Sequence, residues 1–518
     1  MKIAGRSVRG TYVSMEADRE HYLNRAKQVA ELTLPHLMPP DGYSGGHLPT
    51  PYQSMGARGI SSLASKQLMS LFPPGHSMMR YQISPAVKDE MSQGDGQVKA
   101  EIEAALAATE NAISVELESQ AMRPKLHQMF LQRLVSGNVL LHSNPINGHL
   151  KVFPLDRYVI KRDPEGNPLV IITKECVSKV LLPPEMLATV EDVQGESEES
   201  MDLAKDTFEI YTAVVREDKK TYKVWQEVLG VPVPGTEGTY EADKLPWIPV
   251  RSDATPGQSY SYGYMSGLLG DLASLEGLTK ALVDGAAASS RLVFLVSPNS
   301  ATNLREIQAC PNGGFVAGMP DDVTSLKTDK ANDMAVAFNM IERLSKSLGF
   351  AFLLNQSVQR SGERVTAEEI RFLAQELEDV QAGDYSLLAQ ELQLPLTRVI
   401  LDRLERTKQV PKVDKSVAEP SIVTGLEALS RGHDLRKLEM LLNQIGQLVG
   451  PQGIGKYANL QASFKRFETA LGLSGESIIR SPEEIQQIEQ QEQQNAAMQS
   501  MGPEVIRQVG AATQPGAE

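Results

Sequence analysis

The sequence predicts a mixed α+β protein in which helix dominates. Three observations carry that expectation. Apolar residues recur at helical spacing over long stretches towards both ends of the chain. Aromatic residues make up only 5 % of the 518, while methionine alone contributes 19. Alternation of the β type is confined to a central region. An aromatic-poor composition rich in Met and Ala suits helices packed on helices better than a large sandwich of sheets. The chain is long enough to bury a sizeable core and to form about three or four globular units, or one large body with appendages.

The first helix is expected over 16–34, with Leu23, Ala26, Val29 and Ala30 on one face and Pro35 ending it. A Gly/Pro-rich loop, PPDGYSGGHLPTP, follows at 39–51. A helix over 54–72 carries Ile60, Leu63, Ala64, Leu68 and Leu71 at helical spacing up to Pro73-Pro74, and two more are expected over 96–121 and 124–140. The pattern then changes. Short apolar runs over 150–174 flank the turn signal Asp163-Pro164-Glu165-Gly166 and predict a hairpin; residues 208–226 predict a second around Glu217-Asp218-Lys219-Lys220. Between the hairpins, 185–206 is rich in carboxylates against only Lys205, and reads as a solvated mobile loop.

Helix returns at 264–290. Leu268, Leu272, Leu275, Leu282 and Ala286 form one seam, while Gly267, Gly270, Gly277 and Gly285 with Ser274 and Ala281 form a small-residue face. Each interior glycine costs about 1 kcal/mol relative to Ala, so the pattern points to another backbone packed close by. Residues 292–296 and 314–317 are β-like and flank the loop SPNSATNLREIQACPNG. A helix over 331–350 then carries Met334, Ala337, Phe338, Ile341, Leu344, Ser345 and Leu348 at coiled-coil spacing. Two long helices therefore bracket a small β insertion, which should project from the body.

Residues 353–363, LLNQSVQRSGE, are polar and aperiodic, and read as a loop. A helix starts at Thr366 with a capping box to Glu369; Glu368 and Glu369 also complement its positive end, and Ile370, Leu373, Ala374 and Leu377 form its apolar face. Gly383 interrupts, and helix continues over 384–407 through Pro395, where a kink is expected. Further helices are expected around Leu426–Leu429, Leu435–Val449 and Phe464–Leu471. The Gln-rich stretch 485–500 prolongs a helix, and the last residues, GAATQPGAE, are expected to be disordered.

Charge and chemistry narrow the function. The chain carries 51 basic and 65 acidic side chains, a formal charge of −14, which argues against a tight grip on phosphates but allows loose contact with DNA. Cys176 and Cys310, the 2 cysteines, give no disulfide framework and suit a reducing compartment. No apolar run follows the N-terminal basic residues as in a secretory signal, and none approaches the ~18 residues of a membrane helix. Folding in a cytoplasm is the expectation. GPQGIGK at 450–456 has the spacing of a phosphate-binding loop, but Tyr457 stands where Ser or Thr would meet magnesium, and a helix rather than a strand precedes it. GYSGG at 42–46 spells a nucleophile elbow yet sits in a loop between helices. The 8 histidines include no i,i+4 pair and no zinc spacing. No catalytic constellation, cofactor or metal site is expected. The competing readings are a nucleotide-binding cytosolic enzyme built on 450–456 and a helical scaffold without a DNA channel.

Three segments carry a stronger signal: PYQSMGARGISSLASKQLMSLFPP (51–74), GQSYSYGYMSGLLGDLASLEGLTKAL (257–282) and AFLLNQSVQRSGERVTAEEIRFLAQELEDVQAGDYSLLAQELQLPLTRVI (351–400). Together they are similar to the head-to-tail connector, or portal, proteins of short-tailed double-stranded DNA phages, over roughly residues 10–480. The resemblance implies a non-enzymatic ring, usually of twelve copies, at one capsid vertex. DNA enters through its channel, driven by a terminase, and later leaves by it; the tail attaches there. It also implies a portal fold of wing, stem, clip and crown regions. In order of elements these would be wing at 1–263, stem helices at 264–290 and 331–352, clip at 291–330, tunnel loop at 353–363, further wing helices at 364–424, crown at 425–490 and a flexible tail at 491–518.

The implied partners are other copies of the chain, the terminase large subunit, the major capsid and scaffolding proteins, a tail adaptor, internal core proteins, and double-stranded DNA in transit without sequence specificity. No membrane is involved. The implied place is the portal vertex of the virion, after assembly in the host cytoplasm. By the same resemblance Gln356, Ser357, Val358, Gln359 and Arg360 would line the channel, Asn299 and Arg305 would meet terminase or tail adaptor, and Gly267, Gly270, Leu272 and Gly277 would pack against a neighbouring stem. A near-neutral loop, with Arg360 against Glu363, suits contact with DNA that does not trap it.

Overall fold

The N-terminal helix α1 (Val8–Glu31) begins earlier than its apolar periodicity suggests, because its first turn is capped from a distance. The Ser7 hydroxyl accepts the Gly10 N–H at 3.1 Å, and the buried Glu227 carboxylate accepts the N–H groups of Val8 at 2.7 Å and Arg9 at 3.1 Å. A carboxylate there also meets the positive end of the helix dipole. In this computed structural model the described residues are 7–40, 43, 45–72, 77–84, 96–194, 207–289, 294–298, 303–311, 314–317, 319, 323–325, 331–354, 383–413, 418–422 and 440–448. The chain divides into two compact units, Met1–Ala428 and Leu429–Glu518.

Helix α2 (Met55–Leu71) buries Ile60, Leu63, Ala64, Gln67 and Leu71, close to the face expected. Strand β1 (Met79–Ile83) and helices α3 (Gly96–Ser119) and α4 (Met122–Ser136) follow. The helix expected over 124–140 stops short. Gly137 adopts a φ of +76° and returns its N–H to the Arg133 carbonyl at 2.8 Å, a left-handed cap that glycine makes without strain. The chain then enters strand β2 (Asn138–Ser143), whose buried run Val139, Leu140 and Leu141 is apolar on both faces and so resembles a helix segment by periodicity.

Strand β3 (Leu150–Phe153) pairs with β2. Both expected hairpins form. Strands β4 (Tyr158–Arg162) and β5 (Pro168–Ser178) meet across the 163–167 turn, where the Asp163 carboxylate accepts the Asn167 N–H at 2.8 Å. The acidic stretch after them is not a single loop. Its first part is helix α5 (Pro184–Gln194), whose Met186 and Val190 pack with Leu182, Ile210, Val228 and Val233 in a satellite core while Glu185 and Asp192 stay exposed. Residues 195–206 lie outside the described residues. Strands β6 (Thr207–Arg216) and β7 (Thr221–Val228) form the second hairpin; β8 (Val231–Pro232) and β9 (Gly238–Glu241) complete an antiparallel sheet of order β4-β5-β6-β7-β8 with β9 also on β7. Strand β10 (Trp247–Arg251) pairs back to β2, giving a second sheet of order β10-β2-β3. The main core lies between this sheet and helices α1, α2 and α4, and includes Ile60, Leu63, Phe130 and Leu140.

A short 3-10 turn, Tyr264–Leu268, leads into helix α6 (Leu269–Ser289). The insertion beyond it holds β11 (Phe294–Val296), α7 (Leu304–Ala309) and β12 (Val323–Ser325), and helix α8 (Ala331–Ala351) returns. Strand β11 pairs with β12, and 314–317, expected to be β-like, is not part of this sheet. The latter segment leaves a turn in which the Gly314 N–H reaches the Pro311 carbonyl at 2.9 Å, and it carries no strand. Further on, helix over 383–388 passes through a π-helical turn (Ala389–Gln393) into α9 (Leu394–Arg406). The irregularity expected at Pro395 takes this form. The ring would clash with the carbonyl of residue 391, and the wider turn before it relieves that clash. Strand β13 (Ala418–Ile422) pairs antiparallel with β1, Met79 opposite Ile422. In the second unit residues 440–448 are helical, inside the helix expected over 435–449. The 450–456 motif, the Gln-rich stretch and the helix expected from Thr366 lie outside the described residues, as do Gly42 and Ser44 of the elbow-like motif.

Candidate functional site

The two long helices α6 and α8 pack on each other as a hairpin whose base is buried and whose shaft is not. Leu269, Leu272 and Leu275 of α6 are buried, as are Leu348 of α8 and Phe352 just beyond it. On α8 the partly covered positions include Met334, Ala337, Ile341, Leu344 and Ser345, the stripe read from the sequence. Phe338, expected on the same seam, faces outward. Val283, Val336, Phe338, Met340 and Phe350 are between 44 % and 83 % exposed. A single helical partner covers only the narrow inner stripe, so apolar residues beside that stripe are left open.

The small-residue face of α6 divides in two. A Cβ added to Gly285 would lie 3.2 Å from the Met334 methyl, so this glycine permits the close approach of α8. Gly267, Gly270 and Gly277 have no atom within 4 Å of such a Cβ and face open space. Leu272 differs from the expectation that it packs against a neighbouring stem. It is 0 % exposed and sits in the chain's own core. The seam and the glycine face lie on different sides of one helix, and Leu272 belongs to the seam.

The base of the hairpin is tied to the body by polar groups. The Glu276 carboxylate accepts the N–H groups of Tyr52 at 2.9 Å and Gln53 at 3.1 Å, and the Lys280 ammonium stands 5.9 Å from the Tyr52 ring centre. Tyr264 donates its hydroxyl to the Ala351 carbonyl at 2.9 Å. The Phe352 ring lies so close over Gly59 that any side chain at 59 would overlap it. Lys66 donates to the Leu353 carbonyl, and burial pushes its pKa down.

A second polar network holds the helix that starts at 383. Buried Arg133 pairs with Asp384, which also accepts from Gln67 at 3.0 Å. The Arg251 guanidinium and backbone N–H both reach Glu391, at 2.7 Å and 2.9 Å. Arg162 lies 3.7 Å from the same carboxylate; burial is the main cause that lowers its pKa to about 10, against the opposing pull of Glu391. None of these pairings was visible in the sequence, since the partners are separated by 100 residues or more and no local spacing marks them.

Among the residues expected to act, Arg305 is exposed in the first turn of α7, where the Asn303 side chain accepts its backbone N–H at 3.1 Å. Asn299, Gln356, Ser357, Val358, Gln359 and Arg360 lie outside the described residues. Among the described residues no group of three or more His, Cys, Asp or Glu side chains is arranged to hold a metal ion, and no helix is long and apolar enough to cross a membrane. What the hairpin presents is open glycines and exposed aliphatic and aromatic side chains, on a shaft tied to the body at its base.

Comparison with known proteins gives this geometry its context. A model of the family described as bacteriophage head to tail connecting protein matches residues 6–479. The chain belongs to that family. Among curated connectors it is 38 % identical to the portal protein of Escherichia phage T7 over 506 residues, covering 96 % of this chain and 91 % of that protein. It is 37 % identical to the portal protein of Enterobacteria phage T3 over 489 residues, 93 % of this chain and 90 % of that one. A solved chain from the virion of a native gene transfer agent particle aligns with a TM-score of 0.37 at 11 % identity, over 80 % of this connector and 89 % of that chain. The connector is thus a phage portal protein of the podovirus type and a component of the phage particle. The family's description is that of a protein connecting the phage head to its tail.

Proposed function

We propose that this chain closes into a ring, of twelve copies by the family's habit, whose bore conducts double-stranded DNA. DNA is driven in by a terminase, and the same bore serves its exit once the tail is attached. The ring works as a conduit and not as a catalyst, and it is assembled in the host cytoplasm before it becomes part of the virion. The observation that carries this reading is the α6/α8 shaft. One chain alone leaves Val283, Val336, Phe338, Met340 and Phe350 exposed, and the space at glycines 267, 270 and 277 open. An apolar face with a small-residue groove on another side of the same hairpin suits a head-to-tail contact, which repeats until the rotation closes.

The remaining roles follow the same reading. Gln356, Ser357, Val358, Gln359 and Arg360 line the bore; Gly267, Gly270 and Gly277 admit the neighbour's shaft; the 291–330 insertion, with Asn299 and Arg305, meets terminase and then the tail adaptor. Wing residues face capsid and scaffolding proteins, and internal core proteins stack on the ring. Acidic residues outnumber basic ones on α6 and across the chain, so DNA passes without strong, salt-sensitive attraction. Electron microscopy of the purified protein tests the core of the proposal: closed rings with a duplex-wide hole are expected, and open filaments or monomers under all assembly conditions would reject it. For the insertion, pull-down of terminase by Arg305→Ala and Asn299→Ala rings should fall; undiminished capture rejects that assignment.

A further inference from the structure

Leu353 and Asp384, which flank 355–382, are held by consecutive residues of one helix. At the near end Lys66 of α2 donates to the Leu353 carbonyl. At the far end Gln67 donates to Asp384 Oδ2 at 3.0 Å. Each end is reinforced. Phe352 is fully buried with its ring pressed on Gly59 of α2, and the Leu354 N–H returns to the Gly349 carbonyl at 2.9 Å. Leu353 sits at a φ of +54°, a conformation that leucine avoids unless its surroundings impose it. Asp384 takes two further bonds from Arg133, which is 1 % exposed and whose Nε donates to the Arg251 carbonyl at 3.1 Å. One turn along α2, Gln393 donates to the Leu71 carbonyl at 2.7 Å, so the helix after Asp384 is held to α2 a second time.

We propose that Lys66, Gln67 and Arg133 act together as a clamp that fixes where the chain leaves the body at Leu354 and re-enters at Gly383. They are positioning residues for the 355–382 stretch. The proposal rests on the reading that 356–360 line the bore, and it deepens it. Bringing together the two ends of any long intervening segment costs entropy that grows with its length, and a single anchor site for both ends offsets that cost while fixing where the segment starts. Because every copy in a ring carries the same clamp, an error at α2 is repeated around the bore.

The two side chains touch different ends, which makes coupling measurable. Among the described residues Lys66 donates to the near end and Gln67 to the far end. The full-length chain is prepared with Lys66→Met, Gln67→Met and Lys66→Arg, and assembly is checked by microscopy. Hydrogen exchange is followed over 345–354 and 383–390, together with tryptic cleavage at Arg360 and Arg364. If the clamp is one unit, Lys66→Met raises exchange at least threefold at both ends and speeds cleavage, and Lys66→Arg restores the native pattern. Faster exchange confined to 345–354 overturns it.

A second arm reads function: particles built with Lys66→Met rings should contain at least tenfold fewer filled heads. Normal filling from rings that show faster exchange at both ends removes the positioning role. Lys66 is only partly buried, so its variant should fold even where Gln67→Met does not, and it decides the question alone. Native protein that makes no ring would reject the conduit while leaving the exchange test of the clamp intact.

Discussion

His142 stacks on Trp247 of β10 at 4.5 Å between ring centres and stands opposite Lys151 of β3. Burial, with Lys151 adding to it, pulls its pKa from 6.5 down to about 4. The unfolded residue takes up its proton as pH falls through 6.5, whereas the folded one resists until about 4. Stability from this residue is therefore full above pH 6.5 and is lost between 6.5 and 4. Moving from pH 7 to pH 5 should remove about 2 kcal/mol, and His142→Gln should abolish that increment in denaturant midpoints taken at the two pH values. At Gly59, substitution by Ala places a methyl against the Phe352 ring, and a loss of about 1–3 kcal/mol in denaturant unfolding is expected. Glu391→Ala leaves Arg251 and Arg162 without their buried carboxylate and should cost about 3–5 kcal/mol by the same measurement. None of these three sites was legible in the sequence. Each depends on a partner distant along the chain, and a lone His, Gly or Glu carries no local mark of it.

Among elements, the long amphipathic pieces were readable. Helix α2 lies where Ile60, Leu63, Ala64, Leu68 and Leu71 place it, and α8 keeps the 334, 337, 341, 344 stripe. Both hairpins appear around their Asp-Pro-Glu-Gly and Glu-Asp-Lys-Lys turns. The errors have physical sources. Val139, Leu140 and Leu141 are buried on both faces, which erases the period of two that would mark a strand. The acidic stretch from 185 was read by charge, while the Met186 and Val190 stripe inside it was enough to seat α5 on the sheet. On α6, the resemblance gave the seam residue Leu272 the same neighbour-packing role as the glycines of the other face, although Leu272 turns into the chain's own core. That division yields a paired prediction. Leu275→Ala, in the buried seam, should destabilise the chain by about 2–5 kcal/mol in denaturant unfolding. Gly277→Ala, in open space, should stabilise the isolated subunit by about 1 kcal/mol by the same measurement, and should weaken assembly if a neighbour's shaft approaches there.

For the molecule as a whole, family membership was legible because three long segments carried it together, whereas the short motifs GPQGIGK at 450–456 and GYSGG at 42–46 lacked the sequence context that their chemistry needs. The pairing of β1 with β13 and of β2 with β10 was not legible, since neither strand of a pair signals its distant partner. The assembly prediction belongs at this scale. Charges placed on the exposed shaft, as in Val336→Glu with Phe338→Glu, should leave the fold intact by circular dichroism yet shift the sedimenting species from ring to monomer.

The β1–β13 ladder joins residues near the start of the first unit to residues near its end, Met79 to Ile422. During synthesis, β1 leaves the ribosome long before its partner exists. The edge that Met79–Ile83 present must wait through the translation of several hundred codons, so the first unit is completed only late in elongation. A messenger interrupted upstream of codon 418 would release a chain with that edge bare, a template for aggregation and no building block for a ring.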